Sequence, residues 1–310
     1  MKHPIRSILL GAGLLLLLGV AVQVARSAIA AEQVAHGQTI SLPKLTNLGA
    51  SRSLVIVPLY EEAAEGAAFQ SGHGVSYLVK TDTMTLLVDV GHNPANTTPS
   101  PLEHNMQQMG VTLRDLDAIV ITHHHPDHVG SLSWHSQGTF SLGSAQVDLA
   151  GVPVYVPKAM TYPAASPTLA SQPMKLGEGV ATLGGLPFMD VFPFSLVQPQ
   201  AAEQTLAVNV AGRGIVLISG CGHAGLAAMV ARAEMLFAAP VIGVVGGLHY
   251  EEKAAADLQG EIQFLRERRP QLVALSPHDD GLATRAAFQA AFPAAYQAVA
   301  VGREIRLDGR

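Results

Sequence analysis
The sequence predicts an α/β chain folded as a four-layer αββα sandwich, two mixed sheets face to face with helices outside. Early strand hairpins between residues 54 and 121, and later strand–helix units from residue 206 onward, each build a sheet with helices on one side. Neither half shows a repeat of fixed period, and two such halves cover their apolar faces by packing sheet on sheet. With 310 residues, 48% of them hydrophobic, the chain can bury a large core. Its 30 glycines and 19 prolines mark tight turns rather than disorder.

Residues 1–30 read as a separate unit. Lys2 and Arg6 precede an apolar run from residue 8 to 22, and Ala28-Ile29-Ala30 offers a small-x-small cleavage site. That order is a signal peptide's, so the mature chain is expected to begin near Ala31 and to be exported, periplasmic or otherwise extracytoplasmic. The alternative is an uncleaved anchor over residues 8–25, the one circumstance in which a membrane is a partner. Loss of residues 1–30 removes three of the 19 basic residues and no acid, which moves the formal charge from −5 to −8. An acidic mature chain argues against nucleic acid as a partner. The lone Cys221 leaves an exported domain without an internal disulfide.

Residues 31–53 are a mixed lead-in, and 54–310 form the main domain. Strands are expected over 54–60, 74–80 and 84–90, the last two joined by the turn Thr81-Asp82-Thr83. Ser100-Pro101 supplies an N-cap and a first-turn proline for a helix that Gly110 closes. After a lead through 113–116, Ile119, Val120 and Ile121 make a buried strand that stops at Thr122. The loop beyond it, His123-His124-His125-Pro126-Asp127-His128, holds four potential ligands in six residues as H-x-H-x-D-H. His123 and His125 are two apart, so both rings can point the same way in extended backbone, and Pro126 keeps the cluster off the sheet. Imidazole plus carboxylate is the ligand set of zinc and similar metals.

A short helix is expected from about 129 to 133 and a strand over 152–156. Residues 159–173, rich in Pro, Ala and Ser, read as a long loop, of the kind that serves as a binding loop or lid. Strands over 206–210 and 215–219 flank the hairpin signal Gly212-Arg213-Gly214. Helices over 224–237 and 253–268, strands over 241–245 and 272–275, a last helix, and short strands over 298–301 and 304–307 complete the chain. His223, His249 and His278 share one local pattern, each following the end of an apolar strand, where sites gather in α/β folds.

The H-x-H-x-D-H motif resembles the metallo-β-lactamase fold superfamily. Gly72-His73-Gly74-Val75-Ser76, Leu87-Val88-Asp89-Val90-Gly91, Asn105 before Met109-Gly110, Gly220-Cys221-Gly222-His223-Ala224-Gly225 and Gly246-Gly247-Leu248-His249 follow in that order. Together they resemble the branch of dihydropterin-type ribofuranosylaminobenzene phosphate synthases, from about residue 70 to the C-terminus. The constellation and the resemblance imply two divalent ions, zinc or alternatively manganese or iron. His123, His125 and His223 are assigned to one and Asp127, His128 and His278 to the other, each with a position left for water. Two ions ~3.5–4 Å apart can share a hydroxide and clamp the attacked group and the leaving oxygen. Asp127 is the expected catalytic carboxylate, holding the hydroxide in line and handling its proton. Asp89 stands at the strand end where relatives hold a metal-binding histidine by its other ring nitrogen, and His73 is placed at the pocket mouth.

Two departures stand out. Many relatives carry a metal-bridging aspartate where this chain has His249, which is read as a ligand, a substrate contact or a packed residue. The branch's His-Cys-Thr-Gly is here His278-Asp279-Asp280-Gly281, whose added acids either bind a metal or repel an anionic substrate. His92, His124 and His135 are given no role, and Cys221 is read as a small buried residue. The implied function is an exported binuclear metallohydrolase acting on a small-molecule ester, lactone, amide or phosphodiester. A periplasmic metal- or ligand-binding protein, or a non-catalytic scaffold of the same fold, is the alternative.

Overall fold
The structure, a computed structural model, describes the backbone of residues 3–251 and 253–310 and the side chains from Leu15 onward, Glu252 excepted. Lys2, and the side chains of Arg6 and of the first half of the apolar run, on which the signal-peptide reading rests, lie outside the described residues. Two compact units emerge, Met1–Ile40 with Pro187–Ala201, and Ser41–Leu186 with Ala202–Arg310. In the smaller, α1 (His3–Thr39) runs through the candidate cleavage site and on into the expected lead-in.

In the larger unit, β1 (Ser53–Tyr60), β2 (Ser76–Thr81) and β3 (Thr85–Val88) form an antiparallel meander. The polar turn at residues 81–84 closes it, with Thr81 donating to Met84 O at both N–H and Oγ1. β4 (Ala118–Val120), β5 (Val154–Val156) and β6 (Thr168–Leu169) add in parallel on one side. β13 (Ile305–Asp308) pairs antiparallel on the other, giving the order β13-β1-β2-β3-β4-β5-β6. The second sheet is β12-β11-β10-β9-β8-β7, from β7 (Met174–Gly177), β8 (Val180–Met189), β9 (Gln200–Val210), β10 (Gly214–Ile218), β11 (Val241–Gly246) and β12 (Leu272–Leu275). There β10, β11 and β12 run parallel, while β9 pairs antiparallel with β10.

Four layers have three interfaces, and the buried side chains sort into three groups by the period of two that strands impose. Leu54, Ile56, Val79, Leu86, Val88 and Val120 of the first sheet meet Val208, Val216, Ile218, Val245 and Leu272 of the second. The alternate residues of the first sheet, Val57, Leu87 and Ile119, turn outward onto α2 (Pro101–Gln108). Those of the second, Ile215, Leu217, Val244 and Val273, turn onto α4 (Leu226–Leu236), α5 (Ala255–Glu267) and α6 (Leu282–Ala291). The αββα arrangement of two mixed sheets is therefore present as expected from the sequence. α2 carries the expected N-cap as a full capping box, Ser100 with Glu103.

Some elements differ. The short helix α3 is Leu132–Ser136 rather than 129–133, because Val90 N–H donates to His128 O and Asn93 N–H to Gly130 O, which ties the earlier residues to the loop after β3. The loop 159–173 contains the edge strand β6, and residues 298–301 make a single bridge to Ala64 instead of a strand. Strands β7 and β8 and the first half of β9 were not expected. Gly184, Gly185 and Pro187 punctuate β8, and Gly184 holds a positive φ of 75° against Gln172 backbone.

Candidate metal centre
The strand directions decide where the chemistry collects. β3, β4, β10, β11 and β12 end at Asp89, at His123–His128, and before His223, His249 and His278, so the parallel strands of both sheets bring their carboxyl ends to one edge. His123, His125 and His223 each offer a ring nitrogen to one group with all atoms within 4.8 Å of one another. Their ring centroids lie 4.7, 4.9 and 4.9 Å apart at interplanar angles of 83°, 79° and 84°, three rings edge-on around one point. Asp127, His128 and His278 form a second group on the same criterion, with His278 Nε2 2.9 Å from Asp127 Oδ2.

The ligands are held from behind. Asp89, buried at φ 58°, accepts from Thr122 N–H at 2.6 Å and Thr122 Oγ1 at 2.6 Å, and faces His128 Nδ1 at 2.7 Å. That contact turns His128 Nε2 toward the centre, where Cys221 Sγ lies 3.0 Å away. His73 sits at the rim, its Nδ1 3.0 Å from Glu62 Oε1 and its Nε2 3.6 Å from Asp127 Oδ2. His249 does not join either group; it is exposed at φ 57°, its Nδ1 3.4 Å from Asp279 Oδ1. His124 stacks on His135 at 4.6 Å, and His92 pairs through backbone with Gly130, so neither enters a group.

The donor set fits divalent metal. Burial first, and neighbouring imidazoles second, hold His123 and His223 well below the ordinary imidazole range, so both are neutral and able to coordinate at pH 7. Burial alone would raise Asp127, but His128 and His278 outweigh it and hold this carboxyl well below its ordinary range. The neutral rings of His123 and His223 thus stand beside a cluster that carries the Asp127 carboxylate.

Comparison with known proteins agrees with this geometry. The Metallo-beta-lactamase superfamily profile matches residues 71–137. The metal-dependent hydrolase Tm1679 of the β-lactamase superfamily superposes with a TM-score of 0.60, over 82% of this chain and 99% of its own, at 19% identity. The chain has the metallo-β-lactamase fold. A second metallo-β-lactamase fold protein, YhfI from Bacillus subtilis, gives a TM-score of 0.51 over 83% of this chain and 100% of its own at 13% identity. In sequence, the chain is similar to 7,8-dihydropterin-6-methyl-4-(beta-D-ribofuranosyl)-aminobenzene-5'-phosphate synthase from Methanocaldococcus jannaschii. Identity is 22% over 241 residues, 66% of this chain and 80% of that protein.

Within this metallo-β-lactamase fold, three buried acids set the ligand loops, and the sequence reading passed over all three roles. Glu203 accepts from the N–H groups of Cys221 and Gly222 at 3.0 Å and of His223 at 2.7 Å. It is the one charged residue in β9, and that isolation is the signal that could have found it. Asp280 accepts from Leu248 and Tyr250 N–H, 3.2 Å each, on either side of His249. Glu61 accepts from Tyr77 Oη at 2.6 Å and from Ser276 Oγ, and Ser276 in turn accepts from His278 N–H at 3.2 Å.

The histidines at this edge give the metal-free protein a pH signature. Burial pulls His278 down, but its hydrogen bond to Asp127 and the charges of Asp279, Asp127 and Glu61 outweigh it and push the ring up to about 9. Its stabilising contribution is complete below the unfolded value of 6.5 and is lost as pH rises to about 9, on the order of 3 kcal/mol at the limit. His123 and His223, depressed, act oppositely, costing stability below pH 6.5 where only the unfolded chain takes their protons. Chelated protein should therefore melt highest near neutrality and lose stability toward pH 9. Zinc, competing with the proton on His278, should erase that alkaline loss. Melting curves across pH with and without zinc check this, and a metal-free melting temperature that does not fall between pH 7 and 9 would count against it.

Proposed function
We propose that this chain is an exported metal-dependent hydrolase that works with two divalent ions, zinc first, on a small-molecule ester, lactone, amide or phosphodiester. The observation that carries the reading is the adjacency of two three-residue ligand sets, His123-His125-His223 and Asp127-His128-His278, at one sheet edge. Bound there, the ions would acidify water to near-neutral pKa and polarise a carbonyl or phosphoryl oxygen. The chain's own residues do the rest. Asp127, kept ionised, accepts a proton at Oδ2 and returns it to the leaving group, with His73 and His278 beside that oxygen. Asp89 and Glu203 keep the histidine loops from drifting.

A cavity of about 490 Å³ lined by His223, His249, Tyr250 and Lys253 gives a small substrate room next to the first ligand set. Asp280 is spent on backbone N–H groups and Asp279 is buried, so neither stands at the surface to repel an anionic group. Phosphate esters therefore stay within the class, in keeping with the similarity to a synthase named for a 5'-phosphate compound. The test is metal analysis of the purified chain with a hydrolysis screen over ester, lactone, amide and phosphodiester chromogens. Two equivalents of metal and turnover of one class are expected. Metal without turnover of any would favour the periplasmic metal- or ligand-binding reading, and absence of metal would overturn both.

A further inference from the structure
We infer that Asp279 supplies a fourth protein ligand to the second metal, its carboxylate taking over from the aspartate that His249 replaces; this rests on the proposed two-metal reading. Asp279 is 5% exposed, and around its Oδ2 the described residues offer no N–H or O–H donor, only the weakly donating thiol of Cys221. A buried carboxylate oxygen with so weak a donor is costly unless a cation faces it. Asp279 also shares with Cys221 and His278 a group of ligand atoms within 4.8 Å, and His278 is common to that group and to Asp127-His128-His278. Room for the carboxylate comes from Gly247, where an added Cβ would lie 2.0 Å from Asp279 Oδ2. His249, 3.4 Å from the other oxygen, then acts as an outer partner that orients Asp279.

The test is titration of the metal-free full chain with zinc and with cobalt(II). Wild type should take up two ions, and Asp279→Asn only one at concentrations that fill both sites of the wild type, with the second site weakened at least roughly tenfold. Near-UV circular dichroism and retention of the first ion establish that the variant is folded. Cys221→Ser should keep both ions, and cobalt-loaded wild type should lack a thiolate charge-transfer band. Unaltered uptake of two ions by Asp279→Asn overturns the inference, as does a thiolate band that disappears in Cys221→Ser, which assigns the position to the thiol. A wild-type chain that binds no metal at all overturns the two-metal reading itself.

A second inference stands on separate observations. The geometry points to an uncleaved anchor whose neighbouring hairpin tip, residues 187–201, lies in the surface of the same lipid bilayer. The apolar run over residues 8–22 opens a helix long and apolar enough by composition for a membrane, and that helix continues unbroken through the candidate cleavage site, where Ala30 is 4% exposed. At the end of the apolar run, Arg26 donates to Val197 O at 2.6 Å and Gln23 to Ser195 O at 3.0 Å, fixing the tip to that turn of α1. There the tip presents Phe192, Leu196 and Val197, 77%, 53% and 81% exposed. Apolar side chains held level with the end of a hydrophobic span, beside a basic residue, match the headgroup boundary of a bilayer.

Trp134 is the only tryptophan, so Phe192→Trp in the full-length chain adds one reporter. In vesicles of phosphatidylethanolamine and phosphatidylglycerol with brominated acyl chains, its emission should be quenched beyond that of wild type and shielded from aqueous iodide. Mass spectrometry of the membrane-bound chain should find residues 1–30 retained. A chain starting near Ala31, or a position-192 reporter open to iodide and untouched by bromolipid, overturns the inference. Shielding from both quenchers, with concentration-dependent cross-linking through the tip, also overturns it and assigns the patch to a second copy.

Discussion

Replacement of His123 by alanine is expected to abolish turnover and to remove the first metal while leaving the chain folded. The ring is fully buried and neutral, with Nδ1 3.0 Å from Thr122 Oγ1, and it makes two of the three edge-on contacts of the first ligand set. Without it His125 and His223 remain, too few to hold an ion at micromolar metal, so activity should fall on the order of a thousandfold or more. The fold tolerates the loss because the hydrophobic layers lie between the sheets and under the helices, away from the sheet edge that carries the site. His124→Ala is the matched control, one residue along, its buried ring stacked on His135 and outside both ligand groups. It should keep its metal and its rate. Wild-type turnover in His123→Ala would rule out the first site as drawn.

What could be read in the sequence and what could not divide along physical lines. The central strands announce themselves because burial on both faces leaves a run such as Leu272-Val273-Ala274-Leu275 with no polar residue to confuse the period. The ligand loop is legible because four donors in six residues have no packing explanation. β7 and β8 are not legible, since Gly184, Gly185 and Pro187 carry turn signals that pairing with neighbouring strands overrides. α1 runs past residue 30 because its small and apolar residues keep helical preference beyond the apparent cleavage site. His249 could not be placed from the strand-end pattern alone. Its positive φ, between the two N–H groups that Asp280 holds, leaves the ring 4.6 Å from that of His223 but outside either ligand group, and that long-range contact leaves no local trace. The hold of Glu203 on the N–H groups of residues 221–223 is likewise long-range, whereas Asp279 stands out in the sequence as an added acid beside His278.

Asp89→Asn should empty the second metal site without unfolding the chain, and the reason is a single proton. Asp89 Oδ1 accepts Thr122 N–H at 2.6 Å, so an amide at this position keeps its oxygen there and turns its NH2 toward Thr122 Oγ1 and His128 Nδ1. A donor facing Nδ1 requires the lone pair on that nitrogen, which moves the proton of neutral His128 to Nε2, the atom directed at the metal. Asparagine tolerates the positive φ of 58° as well as aspartate does, so the backbone is not strained by the change. The second ion should bind roughly 10- to 100-fold more weakly while the three imidazoles of the first site keep theirs. Asp89→Ala would be different in kind. It strands the buried Thr122 N–H and removes the partner of a buried ring, at a cost of roughly 3–5 kcal/mol in stability. Metal titration, with the His128 tautomer read from nitrogen-15 shifts, separates the two effects. If Asp89→Asn carries its proton on Nε2 yet fills both sites as tightly as the wild type, the ligand atom is not His128 Nε2 and the second site lies elsewhere on this edge.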